Sequence, residues 1–260
     1  MVDPMDTTHG LDLAPLAVMR RAATATGTAE AAQMLAVAGV PVFPCSQSST
    51  RPLTGRGPRA ASADPDQVAW WWSRYPSANL AIPTGTTSGL DVVEVHPDRD
   101  ARSGLDGIQR AIHTGLMPRP GLAVATPSGG LHLIFLRSPE TTQRSWTAPG
   151  SGVEFHGDRG YVVLPPSLVQ RPDGTVGRYQ LIGSSNPLTG PVDAVALRRY
   201  LTPSSEELTA PVLGAAGPAT RAAQVPVPAV ASRPAAPGVR SLSRPDPGSP
   251  GRRPPEVVSL

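Results

Sequence analysis

Between residues 79 and 182 the chain is broken into seven apolar runs, none longer than six residues, separated by stretches rich in Gly, Pro, Ser and Thr. The runs fall at 79–82, 90–95, 122–126, 131–136, 152–155, 161–164 and 179–182. They are too short for ordinary helices and match the length of strands. The residues between them are those that supply tight turns. A chain divided in this way buries its apolar side chains by pairing them into sheets.

Helical spacing occurs mostly before this region. Residues 14–26 suit a helix. Thr28 is placed to cap a second one, in which Ala31, Leu35 and Ala38 repeat at helical spacing and Gly39 marks the end. A short buried strand is expected at 40–44, followed by a Ser, Thr, Arg, Gly and Pro-rich loop at 46–63. Asp64-Pro65-Asp66-Gln67 then reads as a helix start, with Asp64 as cap, Pro65 as first helical residue and Gln67 as a capping-box partner. That helix carries Val68, Trp71, Trp72 and Tyr75 and stops before Pro76. Two more helices are expected at about 102–114 and at 192–201. Helices come early and strands cluster later, which gives the α+β class.

Aromatic residues cease at Tyr200, and residues 211–260 contain 11 prolines. That composition offers too little apolar surface to offset chain entropy. The expected organisation is a loose N-terminus at 1–13, one packed domain at 14–202 and a disordered Pro/Ala-rich tail at 203–260. The one cysteine, Cys45, sits in an apolar run and reads as a small buried hydrophobe. It excludes an internal disulfide and a Cys-based zinc site. No stretch is long and apolar enough for a membrane span, and no basic-then-apolar leader opens the chain, so a cytoplasmic location without membrane contact is expected. All basic residues are Arg and the net charge is +3, which permits nucleic-acid binding without requiring it.

Three segments carry candidate chemistry. In Leu90-Asp91-Val92-Val93-Glu94-Val95-His96, strand alternation puts Glu94 and His96 on one face and Val93 and Val95 on the other. Two such groups at the end of an apolar strand can hold a metal ion, although alone they read equally as a solvated strand end. In Thr126-Pro127-Ser128-Gly129-Gly130-Leu131-His132, a tight glycine turn lets backbone approach a ligand and its amides cradle phosphate. His132 points away from Leu131 and Leu133; a lone strand His is usually structural. In Gly152-Val153-Glu154-Phe155-His156-Gly157, the pair Glu154 and His156 repeats the i, i+2 spacing. A second acidic strand beside the first would complete a metal site.

The order of these segments, with Gly160-Tyr161-Val162-Val163-Leu164-Pro165-Pro166-Ser167 after them, resembles the Prim-Pol family, the bifunctional DNA primase/polymerase N-terminal domain. Residues 38–44, Arg51-Pro52, 60–64, Trp70-Trp71-Trp72, Pro76, 79–82 and Thr84-Gly85 are similar to the opening of that family, and the resemblance spans roughly residues 29–183. It implies an RRM-like sheet with an added α/β unit and template-directed nucleotide joining in DNA replication. It implies Mg²⁺ or Mn²⁺ at the catalytic and metal positions Glu94, His96 and Glu154, and nucleotide contacts from Arg51, Ser128, Gly129, Gly130 and His132. The implied partners are DNA and nucleoside triphosphates. A separate helicase is also implied, because no Gly-x-x-x-x-Gly-Lys-Ser/Thr loop and no Lys occur here.

Two departures from the family pattern matter. Glu94-Val95-His96 stands where the family carries Asp-x-Asp or Asp-x-Glu, and Glu154 stands where it carries Asp. A Glu reaches one methylene further than Asp, and neutral His96 removes an anionic ligand that hard Mg²⁺ favours. Asp91 and Asp98 are the nearby carboxylates, but Asp91 falls on the opposite strand face. Two readings stay open: a nucleotidyltransferase with weakened activity or altered metal preference, or a catalytically inactive module that binds nucleotide or DNA.

Overall fold

The computed structural model describes residues 14–97, 102–170, 174–183, 186 and 189–202. The expectations for 1–13, for the 203–260 tail and for Asp98 lie outside the described residues. The chain begins with helices α1 (Ala14–Ala22) and α2 (Thr28–Val37), strand β1 (Phe43–Cys45), a 3₁₀ turn (Gly57–Ala60) and helix α3 (Pro65–Arg74). Strands β2 (Asn79–Pro83) and β3 (Leu90–Val95) follow, then helix α4 (Arg102–His113), β4 (Leu122–Ala125) and β5 (Leu131–Leu136). The remaining elements are β6 (Trp146–Ala148), β7 (Val153–His156), β8 (Tyr161–Val163), β9 (Leu168–Gln170), β10 (Val176–Arg178), β11 (Gln180–Ile182) and helix α5 (Ala194–Leu201). The class is α+β.

Local chemistry sets several of these boundaries. At α3, Asp64 Oδ1 accepts from the Asp66 amide at 3.0 Å, with Pro65 opening the helix, as the sequence predicts. At α2 the expected cap is displaced by one residue. Gly27 occupies the cap position in extended conformation, and Thr28 is already helical. The Glu30 carboxylate reaches back to the Thr26 amide at 2.9 Å and the Thr26 hydroxyl at 2.6 Å. The Thr28 hydroxyl instead accepts from Trp72 Nε1 at 3.0 Å and donates to the Ala78 carbonyl at 2.7 Å, tying α2 to α3 and to the entry of β2. Gly39 ends the α2 segment with φ +78°, a conformation open to glycine without steric cost.

Six strands form the main sheet in the order β11-β4-β5-β3-β7-β6, and each neighbouring pair is antiparallel. A second antiparallel sheet has the order β1-β2-β8, and β9 pairs with β10 as a hairpin. The main sheet has two different faces. Val93, Val95, Leu133, Phe135, Val153 and Phe155 pack on one side with Ile108 and Ala111 of α4 and Leu197 of α5. Val92, Leu122, Val124 and Ile134 join the other core with residues of α1, α2, α3 and the three-stranded sheet. Cys45 is fully buried there, and burial pushes its thiol up to about 12. The Pro-Pro-Ser segment has a structural use: Ser167 Oγ accepts from the Leu80 amide at 2.8 Å, and the Asn79 side chain pairs with both backbone groups of Leu168. No helix among the described residues is long and apolar enough to cross a membrane.

Candidate metal centre

The site is built by strand register. In the central strand β3, Glu94 stands directly opposite His132 on β5 and directly opposite Glu154 on β7. Residues opposite one another in antiparallel strands project to the same face. Two residues further along each strand give His96, just past the end of β3, and His156, the last residue of β7. The His96 amide donates to the Gly152 carbonyl at 2.8 Å, which keeps the chain paired beyond the strand end. Two carboxylates and three imidazoles thus meet on the face that elsewhere carries Val92 and Ile134.

The contacts are close. Glu94 Oε2 lies 2.8 Å from His156 Nε2, and Glu94 Oε1 lies 3.5 Å from His132 Nε2 and 3.6 Å from His96 Nδ1. His96 Nε2 lies 3.3 Å from Glu154 Oε1, and His156 Nε2 lies 4.0 Å from Glu154 Oε2. Burial pushes the Glu94 carboxyl up, but hydrogen bonds and charge from His132 and His156 outweigh it and hold it well below the usual carboxylate range. His132 is almost wholly buried, and its ring sits 5.8 Å from that of Tyr179. Burial, with the Glu94 charge beside it, pushes the Tyr179 phenol up to about 12.

The donor set fits a divalent cation. One ligand atom each from Glu94, Glu154 and His156 lies within 4.8 Å of the others, so a single ion can reach all three. His96 Nε2 is buried and has no hydrogen-bond partner; its approach to Glu154 lacks hydrogen-bond geometry. A buried ring nitrogen without a hydrogen bond, 3.3 Å from the Glu154 carboxylate, is what a cation would satisfy.

Glu94, His96, His132 and His156 open onto a cavity of about 600 Å³, whose wall also includes Thr50, Arg144, Ser145, Asp158, Arg159, Tyr161 and Tyr179. Other residues singled out from sequence lie elsewhere. Ser128, Gly129 and Gly130 form the β4–β5 turn outside the cavity wall, where the Ser128 and Thr126 hydroxyls meet at 2.9 Å. Gly130 is pressed against the Val95 carbonyl and Pro97, so a Cβ has no room there. That contact locks the turn to the end of β3, beside His96. Arg51 is exposed and outside the wall, while its neighbour Thr50 lines it and accepts from the Tyr161 hydroxyl at 3.2 Å. Asp91 faces the opposite side of the sheet and takes no part in the cluster.

A family model for the N-terminal domain of bifunctional DNA primase/polymerase matches residues 32–194. The chain belongs to the Prim-Pol family. No curated protein matches it. The Prim-Pol match runs from α2 to the first residue of α5, so it takes in both larger sheets and every member of the cluster. Within the Prim-Pol frame, sequence reasoning reached Glu94, His96, His132 and Glu154. It saw His156 only as an echo of His96, without a ligand role. Tyr179, Arg144 and Arg159 were missed as wall residues; the single local signal was the Asp158-Arg159-Gly160 turn directly after His156.

Proposed function

We propose that this Prim-Pol domain joins nucleotides on a DNA template, using a divalent cation held by Glu94, His96 and Glu154 with His156 as a further donor. The observation that carries this reading is the pairing of Glu94 with Glu154 across adjacent strands, with an imidazole 2.8 Å from Glu94, where Glu94 lines a cavity large enough for one nucleotide. A bound divalent ion would activate the attacking hydroxyl and offset charge on the triphosphate. The imidazole-rich donor set favours Mn²⁺ over Mg²⁺. His132 and His156 hold the Glu94 carboxyl well below the usual carboxylate range, which favours the charged form that ion needs. His132, wedged against Tyr179 and Glu94, is positioned to contact the incoming nucleotide, and the Ser128-Gly129-Gly130 turn fixes where its strand begins. Arg51, beside the wall, is available to the triphosphate. Duplex unwinding falls to a separate helicase.

One observation favours a second reading. Both Glu94 oxygens already lie within 3.6 Å of imidazole nitrogens, so the cluster partly satisfies itself. A domain that binds nucleotide or DNA without turnover would tolerate that arrangement. Primer extension on a DNA template, in Mg²⁺ and separately in Mn²⁺, decides between them. Synthesis stronger in Mn²⁺ and lost in Glu94→Gln supports the enzyme. Calorimetric binding of Mn²⁺ and a deoxynucleotide without any extension supports the binding module.

A further inference from the structure

A second cavity, of about 580 Å³, adjoins the metal-centre cavity and shares Arg144, Asp158, Arg159 and Gly160 with it. Its chemistry is different. Arg56 and Arg59, from the 3₁₀ turn, face it together with Arg144 and Arg159. No carboxylate lies within ion-pair distance of any of these four guanidinium groups among the described residues. The wall's one acid, Asp158, is already engaged: its Oδ1 accepts from the Thr86 amide at 2.7 Å and the Thr86 hydroxyl at 2.5 Å. Four exposed arginines around one recess outnumber its single carboxylate, Asp158, and leave a net positive field there.

The partition between the two cavities is firmly held. Arg159 is the one described non-glycine residue with positive φ, at +68°. Such a conformation costs free energy and persists where surroundings enforce it. Here Asp158 is clamped to the loop at Thr86, and Arg144 is bridged to Asp158 through the backbone. Arg144 and Arg159 therefore sit at a fixed boundary, reachable from either side.

We infer that this outer cavity seats backbone phosphates of a single nucleic-acid strand and delivers that strand to the metal centre. The inner cavity alone accommodates one nucleotide, so the outer cavity is free for a second anionic occupant. Guanidinium forks suit phosphodiester oxygens. A recess of this size admits a short stretch of one strand, whereas a duplex presents two backbones on opposite sides. This assignment rests on the nucleotidyl-transfer reading of the inner cavity, but its test does not need turnover.

The test uses the full chain, with the same tail in every variant, a fluorescent thymidine homopolymer and a chelator to exclude metal. Binding is followed by anisotropy across a range of salt. Arg56→Ala/Arg59→Ala is expected to weaken strand binding ~10-fold or more and to reduce the log–log salt slope by about 1.4, at ~0.7 for each single-strand phosphate no longer neutralised. Charge reversal to Glu at both positions should weaken it further, and thermal melting checks that these surface variants remain folded. Deoxynucleotide binding with Mn²⁺, by calorimetry, should be unchanged. Strand binding and slope equal to wild type overturn the inference, as does loss of nucleotide binding with strand binding intact. Equal use of these arginines by a blunt duplex overturns the single-strand assignment. If strand binding depends on the arginines while no condition supports synthesis, the transfer reading fails and the strand site stands. If Glu94→Gln abolishes synthesis while the arginine variants bind normally, the reverse holds.

Discussion

Asp91 lies three residues before Glu94, on the strand face that the sequence alternation assigns away from the metal centre. It is fully buried on the far face of the sheet, opposite Phe135. Its Oδ2 accepts from Gln143 Nε2 at 3.2 Å, and its Oδ1 has no partner. Burial pushes its carboxyl from an ordinary 3.8 up to about 6, against smaller opposing effects from the Gln143 hydrogen bond and Arg137. The folded state therefore holds the proton more tightly than the unfolded chain. Stability contributed by protonated Asp91 is present below the unfolded value and is lost as pH rises through about 6. Between pH 4.5 and pH 8 the two pKa values give a loss of about 2 kcal/mol from this one side chain. Asp91→Asn cannot titrate, so the stability difference between variant and wild type should move by about 2 kcal/mol in the variant's favour over that interval. Urea unfolding at the two pH values measures it, and groups common to both proteins cancel. The same variant should retain Mn²⁺ binding. A stability difference that is flat with pH, or loss of Mn²⁺ binding, would refute the placement of Asp91 as a buried, non-ligating carboxyl.

Other expectations concern the site and its supports. His96→Asp restores the acid usual in the family and should shift extension activity from Mn²⁺ toward Mg²⁺, read as the ratio of rates in the two metals. Gly85 has φ +73°, and a Cβ there would lie 2.5 Å from the Asp158 amide nitrogen, whereas Gly89, at φ +74°, has open space around it. In urea unfolding Gly89→Ala should cost about 1 kcal/mol, and Gly85→Ala at least ~2 kcal/mol more from the clash. Ser167→Ala leaves the buried Leu80 amide without its acceptor and should cost about 1–3 kcal/mol in the same assay.

Legibility in the sequence followed the physics of each element. Strands 90–95 and 131–136 are legible to the residue because each is a mostly apolar run bounded by turns, interrupted only by Asp91 and Glu94 in the first and His132 in the second. Their alternation also gives the correct faces for Glu94, His96 and Asp91. Strand Trp146–Ala148 and the Leu168–Gln170/Val176–Arg178 hairpin have three-residue strands and no apolar run to announce them. The α2 cap is misplaced by sequence reasoning because Thr28 is a good capping residue in a good capping position. What displaces it is a partner 44 residues away, the Trp72 indole, which no local rule contains. The arginines around the outer cavity are invisible for a similar reason. Arg56 and Arg59 precede β2 while Arg144 and Arg159 flank β7, and only the docking of the two sheets brings them to one recess.

The metal centre itself depends on register more than on residue choice. Glu94 meets His132 on one side and Glu154 on the other because β3 is central and both its neighbours are antiparallel to it. A slip of one residue would turn the face over, putting Val93 and Val95 into the cavity and driving Glu94 under α4. What forbids the slip is the opposite face, where Val93 and Val95 are buried with Phe135, Val153 and Phe155 against the helices. That apolar contact has no chemistry of its own, yet it determines which side chains can reach a cation. The departures from the family's acidic pattern therefore change the donors while leaving the frame intact. For that reason metal preference, rather than fold, is the property in which this chain should differ most from its relatives.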